Sequence, residues 1–230
     1  DRLGVERADS WACWSMSNHD VVRAPTSLSY TSCAPETVTP LSLALLLSFR
    51  GTPCLYQGEE LGLEEVEVPY EQLVDPYGIA FYPEFKGRDG CRTPMPWDDR
   101  LPHSGFCPDS VEPWLPIPAH HRMKALNRAR EEPGSVYQLL RELLIFRKTH
   151  LSLSMGSIRV IQSDSRLLVF ERQHATECII CAFNLSPESV EIDRPGGWSV
   201  LPGIQRGVSQ PRGEARLLMA EWSWYIQRVT

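Results

Sequence analysis

The spacing of apolar residues changes along the chain, and each change marks a different kind of element. Residues 11–17 form a short run rich in aromatic and apolar side chains, with charge before it and Asn18, His19 and Asp20 after it. That pattern predicts a buried strand ending at Ser17. Pro25, Ser27, Thr31 and Ser32 predict a loop. Residues 37–49 are apolar on nearly every side, as expected of a helix clamped between a sheet and other helices. Arg50 and Gly51 close it with a C-cap glycine. Residues 52–56 predict a second short strand that runs into Gln57, Gly58, Glu59 and Glu60. Strand, helix, strand is the unit of a parallel α/β sheet, and both strands end in polar residues able to do chemistry.

Residues 64–118 are irregular and rich in Pro, Gly and aromatics, too aromatic for disorder, so a functional loop is expected. Residues 119–130 predict a polar helix. Residues 136–150 carry Val136, Leu139, Leu140, Leu143, Leu144 and Phe146 at helical spacing. Beyond that the period shortens. Residues 157–162, 166–173, 177–184, 189–193 and 215–227 alternate or run apolar between turn signals, including Pro-Gly-Gly at 195–197. A small antiparallel β domain is expected from about residue 151. No repeat or low-complexity tract interrupts the chain.

Composition mainly excludes. The chain has 29 acidic and 23 basic residues, a net charge of −6, which argues against a nucleic-acid partner. The apolar stretch at 41–49 is far too short to span a membrane. Seven scattered cysteines (13, 33, 54, 91, 107, 178 and 181) suit reduced thiols in a reducing compartment, the cytoplasm, better than a disulfide framework. His103, His120, His121 and Cys107 fit no closed zinc site by spacing, and no metal or organic cofactor is expected. The first residue is Asp1 with no basic-then-apolar leader after it. Either a start was removed or the chain is a piece of a longer polypeptide.

Three segments carry candidate chemistry. Asp20 with His19 beside it, directly after a strand, could bond a sugar hydroxyl or stabilise a developing positive charge. Alone, Asp20 fits a helix N-cap as well. Gly51 to Gly62 wraps a strand in glycines and places Tyr56, Glu59 and Glu60 at its mouth, although adjacent glutamates are more often a solvated turn. The segment 87–97 holds Arg88, Arg92 and Trp97 on a Gly/Pro-pinned loop. The arginines could clamp a carboxylate or hydroxyls and Trp97 could stack on a pyranose, or Arg88 and Arg92 could simply pair with Asp89 or Asp98.

Taken together, Asn-His-Asp-x-x-Arg (18–23), Gly-Thr-Pro-x-x-Tyr-Gln-Gly-Glu-Glu-x-Gly (51–62) and Arg-Asp-x-x-Arg-Thr-Pro-Met-x-Trp (88–97) resemble the last barrel segments of glycoside hydrolase family 13, in its α-glucosidase/oligo-1,6-glucosidase branch. Residues 75–90 are similar to bacterial α-glucosidases within it. The resemblance is strong over residues 10–150 and looser beyond. It implies an α/β fold: the last two βα units of a (β/α)8 TIM barrel in residues 1–150, then a small antiparallel β-sandwich domain in residues 151–230. It implies a retaining α-glucosidase that hydrolyses terminal α-glucosidic bonds, with a small-molecule oligosaccharide as partner and no oligomeric state specified. In such enzymes the residue matching Asp20 stabilises the transition state and the one matching His19 donates to the same sugar. An arginine lines that subsite, Arg88 being favoured over Arg92, and Tyr56 and Glu59 belong to a wall of the site.

A retaining glycosidase also needs a nucleophile and an acid/base roughly 5–5.5 Å apart. The family carries them on the fourth and fifth strands, and only 17 residues precede Asn18 here. The chain is therefore expected to be inactive alone, and to aggregate or pack loosely over residues 1–150. A glucosyl-transferring or isomerising relative, of the trehalulose synthase, trehalose synthase or amylosucrase kind, shares these segments and stays open. So does a non-catalytic binding or scaffold homologue, although a scaffold has no need of His19, Asp20 and Arg88.

Overall fold

The computed structural model describes residues 10–29, 33–193, 204–209 and 216–229. Strand β1 (Cys13–Trp14) leads to helices α1 (Ala24–Ser29) and α2 (Pro35–Ser48), then strand β2 (Thr52–Pro53). Helix α3 (Pro76–Phe81) interrupts a long irregular segment, followed by α4 (Ala119–Met123), α5 (Leu126–Glu131), α6 (Val136–Thr149) and α7 (Leu151–Ser154). The remaining strands are β3 (Ser157–Ser163), β4 (Leu167–His174), β5 (Glu177–Asn184), β6 (Val190–Asp193), β7 (Ile204–Ser209) and β8 (Arg216–Val229). The chain divides into two compact units. One draws on residues within 1–14, 41–54 and 142–230, the other on 15–40 and 55–141.

In the first unit β1 and β2 pair in parallel, Cys13 opposite Thr52 and Trp14 opposite Pro53. The pair is shorter than residues 11–17 and 52–56 suggested. It is also not buried, since Trp11, Cys13, Thr52 and Cys54 are exposed. A parallel strand becomes buried by neighbours on both edges, and among the described residues each of these strands pairs only with the other. Gly51 turns the chain into β2 with φ 129°, where a Cβ would lie 2.3 Å from the Ala12 carbonyl oxygen. Only glycine fits such an approach.

The antiparallel strands form one curled sheet in the order β3-β4-β5-β8-β6, with β7 also paired to β8. Leu167, Val169, Ile180, Ala182, Ile192, Met219 and Tyr225 pack one core. The other face of β4 and β5 carries Phe170 and Phe183, stacked on each other, with Phe170 also stacked on Phe49, whose ring meets Trp14 at a tilt. Burial on both faces explains why β5 reads as a continuous apolar run rather than an alternation. Strand β7 escaped the sequence pattern. Gly207 breaks its alternation, and the register shifts between Arg206 and Val208, so Ile204 and Val208 do not keep a period of two. The Pro-Gly-Gly turn at 195–197 lies outside the described residues.

Helix α2 has no basic residue in its last turn, and two buried arginines from elsewhere supply the cations. Arg147 donates to the carbonyls of Leu47, Phe49 and Gly51 (2.6, 3.2 and 2.7 Å). Arg172 donates to that of Ser48 (2.6 Å). The Leu47 and Ser48 carbonyls are among those a helix end leaves unpaired, and cations are favourable there. Burial lowers both guanidinium pKa values, that of Arg172 to about 10, so it stays charged near neutrality.

In the second unit the expected loop around Pro25 and Ser27 is helix α1 instead. Pro25 occupies its first turn, where a missing N–H costs nothing. Thr26 and Ser27 N–H both donate to the Arg23 carbonyl (3.0 and 2.9 Å). Thr31 and Ser32 lie outside the described residues. The single helix expected over 119–130 is broken in two at Ala125, which is fully buried and extended. Beyond the break, Leu126 and Asn127 N–H donate to the carbonyls of Pro96 and Trp97 (3.0 and 3.1 Å). Small cores of Leu61, Leu63, Met95 and Ala129, and of Val66, Val68, Leu73 and Leu115, order the irregular segment.

Candidate active site

Asn18 begins the site by closing a turn: its Oδ1 accepts the Asp20 N–H at 2.8 Å. That turn leaves the Asp20 side chain half exposed. Facing it is the segment from Asp75 to Arg92, whose geometry is set by two buried carboxylates. Asp75 caps α3, accepting from Tyr77 N–H (3.3 Å), with Pro76 at the first helical position. Asp89 Oδ2 accepts the N–H groups of Val74 and Asp75 (2.7 and 2.8 Å). Between them Gly78 and Gly87 meet backbone to backbone. A Cβ on Gly87 (φ 78°) would sit 2.7 Å from Gly78 Cα.

Arg88 joins the two parts. Its Nε and Nη2 grip Asp75 as a fork (2.9 Å each), its N–H adds a third bond (2.8 Å), and its Nη1 reaches Asp20 Oδ1 at 3.1 Å. Arg92 Nη2 donates to the same oxygen at 2.9 Å, and its Nε to the His19 carbonyl at 2.8 Å. Asp20 Oδ2 faces His19 Nε2 at 3.4 Å. The Arg88 guanidinium lies 5.4 Å from the Tyr77 ring centroid, within cation–π range. Its hydrogen bonds to Asp75 hold that carboxyl well below the usual carboxylate range and raise the guanidinium pKa in return. The result is a fixed anion with one oxygen clamped and the other turned toward an imidazole.

Tyr56 and Glu59 occupy a neighbouring brace rather than the Asp20 cluster. Tyr56 Oη donates to the Cys91 carbonyl (2.9 Å), tying its segment to the Arg92 turn. Buried Glu59 accepts from the Ser17 hydroxyl (2.5 Å) and Tyr56 N–H (3.1 Å), and burial raises its pKa. Arg23, also buried, lies 5.3 Å from the Tyr56 ring centroid and donates to the Gln57 carbonyl (2.6 Å). Arg88 and Arg92 do not pair with Asp89 or Asp98; Asp98 pairs with Arg100. Trp97 is half exposed, and its backbone N–H donates to the Ser104 carbonyl (2.9 Å). Sequence reasoning passed over Asp75 and gave Asp89 a different partner, Arg88 or Arg92, where it accepts backbone N–H groups instead. The Asp-Pro signal of an N-cap was present at Asp75, but its pairing with Arg88 exists only in space.

Among the described residues no group of three or more His, Cys, Asp or Glu is placed to hold a metal ion. No helix there is long and apolar enough to cross a membrane. None of the seven cysteines forms a disulfide among the described residues.

A parallel strand pair and a curled antiparallel sheet in one unit, and an arginine-clamped carboxylate in the other, are the features to set beside known proteins. A family model described as the alpha amylase catalytic domain matches residues 3–156, and the chain belongs to this alpha-amylase family, glycoside hydrolase family 13. A probable alpha-glucosidase of Rhizobium meliloti is 46% identical over 187 residues, covering 81% of this chain and 33% of that protein. An oligo-1,6-glucosidase of Heyndrickxia coagulans is 28% identical over 223 residues, covering 88% of this chain and 40% of that one. The crystal structure of an alpha-glucosyl transfer enzyme, XgtA, matches with a TM-score of 0.87 at 42% identity, over 100% of this chain and 42% of its own. The chain thus spans 33–42% of the length of these relatives.

Proposed function

We propose that the Asp20 cluster is the sugar-holding part of a retaining α-glucosidase site acting on terminal α-glucosidic bonds of oligosaccharides. The observation that carries this is the Asp20 carboxylate, half exposed, with Oδ1 fixed by Arg88 and Arg92 and Oδ2 facing His19. Glycoside cleavage passes through an oxocarbenium-like state with positive charge on the sugar ring. A carboxylate already held in place stabilises that charge without reorganising, and it accepts hydrogen bonds from ring hydroxyls. His19 donates to the same sugar. Arg88 and Arg92 orient the anion, and Asp75 and Asp89 position Arg88. Tyr56 and Glu59 support the wall behind.

Displacement itself needs a nucleophile and an acid/base, and no segment of these 230 residues resembles the motifs that carry them in the family. In this reading β1 and β2 are the seventh and eighth strands of a (β/α)8 barrel, and the curled sheet is a small β-sandwich domain. The residues present bind and stabilise, and alone they do not turn over substrate. Seven cysteines with no disulfide among the described residues suit a cytoplasmic setting.

A second reading, glucosyl transfer in place of hydrolysis, is favoured by the 42% identity to XgtA, a glucosyl transfer enzyme. Both readings are tested by grafting residues 3–156 into the Rhizobium meliloti relative in place of its matching segment. Hydrolysis predicts one glucose released for each aglycone freed from an aryl α-glucoside, with no longer saccharide formed when maltose is added. Transfer predicts longer saccharides at the expense of glucose. A folded graft that does neither would overturn both.

A further inference from the structure

We propose that the second unit carries a further binding site, for a neutral pyranose, in a cavity of about 530 Å³ walled by Trp114, His103, Ser104, Glu71, Glu112 and Arg122. The cavity shares no residue with the Asp20 cluster, and the proposal does not depend on what Asp20 does. Its volume falls within the range of small-molecule sites, about 300–1,000 Å³. Trp114 is 59% exposed, an indole that folding leaves uncovered. An indole face suits the C–H face of a sugar ring, because it buries apolar area without asking for hydrogen bonds from the ring's edge.

Hydroxyl partners surround it. The exposed carboxylates of Glu71 and Glu112 accept hydrogen bonds, and Arg122 donates, with only Nη2 engaged, by the Asp99 carbonyl at 3.3 Å. Two anions against one cation make a poor site for phosphate or a nucleotide, so a neutral polyol is the matching chemistry. The wall is also unfinished. His103 and Ser104 both take left-handed conformations (φ 48° and 51°), which L residues seldom adopt. The turn is held by Trp97 and Asp98 N–H, both donating to the Ser104 carbonyl at 2.9 Å. It leaves His103 Nε2 and Ser104 Oγ without a hydrogen-bond partner among the described residues, and Ser104 is fully buried. Polar atoms so placed ordinarily find a partner, in protein or in ordered water.

The test is calorimetric titration of the 230-residue chain with maltotriose. With D20N as the background, so that the Asp20 cluster contributes less, adding W114A is expected to weaken binding about ten-fold or more and adding W114F to leave it nearly unchanged. Equal binding with and without W114A would overturn the proposal, as would no binding by the D20N chain up to about 20 mM. Should W114A fail to fold, oxidation of Trp114 in the wild-type chain by N-bromosuccinimide, followed on its peptide by mass spectrometry, gives the same answer. Maltotriose is expected to slow it, and an unchanged rate would refute the site.

Discussion

Arg88 bonds to two carboxylates of opposite circumstance, buried Asp75 and half-exposed Asp20, and the two respond differently to substitution. Asp75 has lost its hydration and depends on Arg88 for compensation. R88A is therefore expected to lower the melting temperature by several degrees and to loosen α3, as seen by thermal melts and hydrogen exchange. D20N removes an anion that water already serves, so its melt is expected to stay within about a degree of wild type. An equal loss in both variants would mean that Asp20 is structural. A second residue-scale prediction concerns pH. His121 is fully buried, its Nε2 donates to the Glu64 carbonyl (2.9 Å), and burial lowers its pKa to about 3. The unfolded chain takes up that proton near pH 6.5 and the folded one not until about 3. Stability is thus fully present above 6.5 and falls as pH drops toward 3, at up to about 1.4 kcal/mol per pH unit. H121Q, which keeps a donor for Glu64, is expected to flatten that part of a urea-melt profile; an unchanged profile would contradict the assignment. At this scale Asp20, His19 and the two arginines were legible because their order and spacing are distinctive. Asp75, Asp89 and Arg23 were not, because a buried partner is defined by what folds against it.

Elements were legible where the local pattern and the packing agree. Residues 177–184 read as a strand with the bounds of β5, since an apolar run suits a strand covered on both faces. Residues 11–17 promised more strand than forms, because pairing is settled by neighbours outside the segment. The break at Ala125 is likewise imposed by the Pro96 and Trp97 carbonyls, which no helical period reveals. Glycines test the element that carries the site. Gly87 and Gly134 both have positive φ (78° and 76°), but a Cβ on Gly134 meets nothing within 4 Å. G134A is expected to cost about 1 kcal/mol from backbone conformation alone. G87A would also push Gly78 and Asp75 away, and a loss of about 2 kcal/mol or more is expected. Equal costs in denaturant melts would show that the Gly78–Gly87 contact does not hold α3 against the arginine turn.

For the whole molecule, family membership and a partial span of its relatives combine into one expectation. On the proposed reading the residues present supply a fixed anion and sugar-binding groups, and the displacement chemistry requires two further carboxylates. The 230-residue chain by itself is expected to leave an aryl α-glucoside intact over hours, and ordinary turnover would contradict this. Its order and solubility are open to the same preparation. A single sharp cooperative melt would count against the loose packing anticipated for residues 1–150.

The central claim is that Asp20 stabilises the glycosyl transition state without serving as a scaffold, and kcat of the grafted enzyme tests it most directly. With residues 3–156 carried in the Rhizobium meliloti relative, D20N is expected to lower kcat on an aryl α-glucoside by roughly a hundred-fold or more at an unchanged melting temperature. A D20N graft that matches the wild-type graft in kcat would contradict the account.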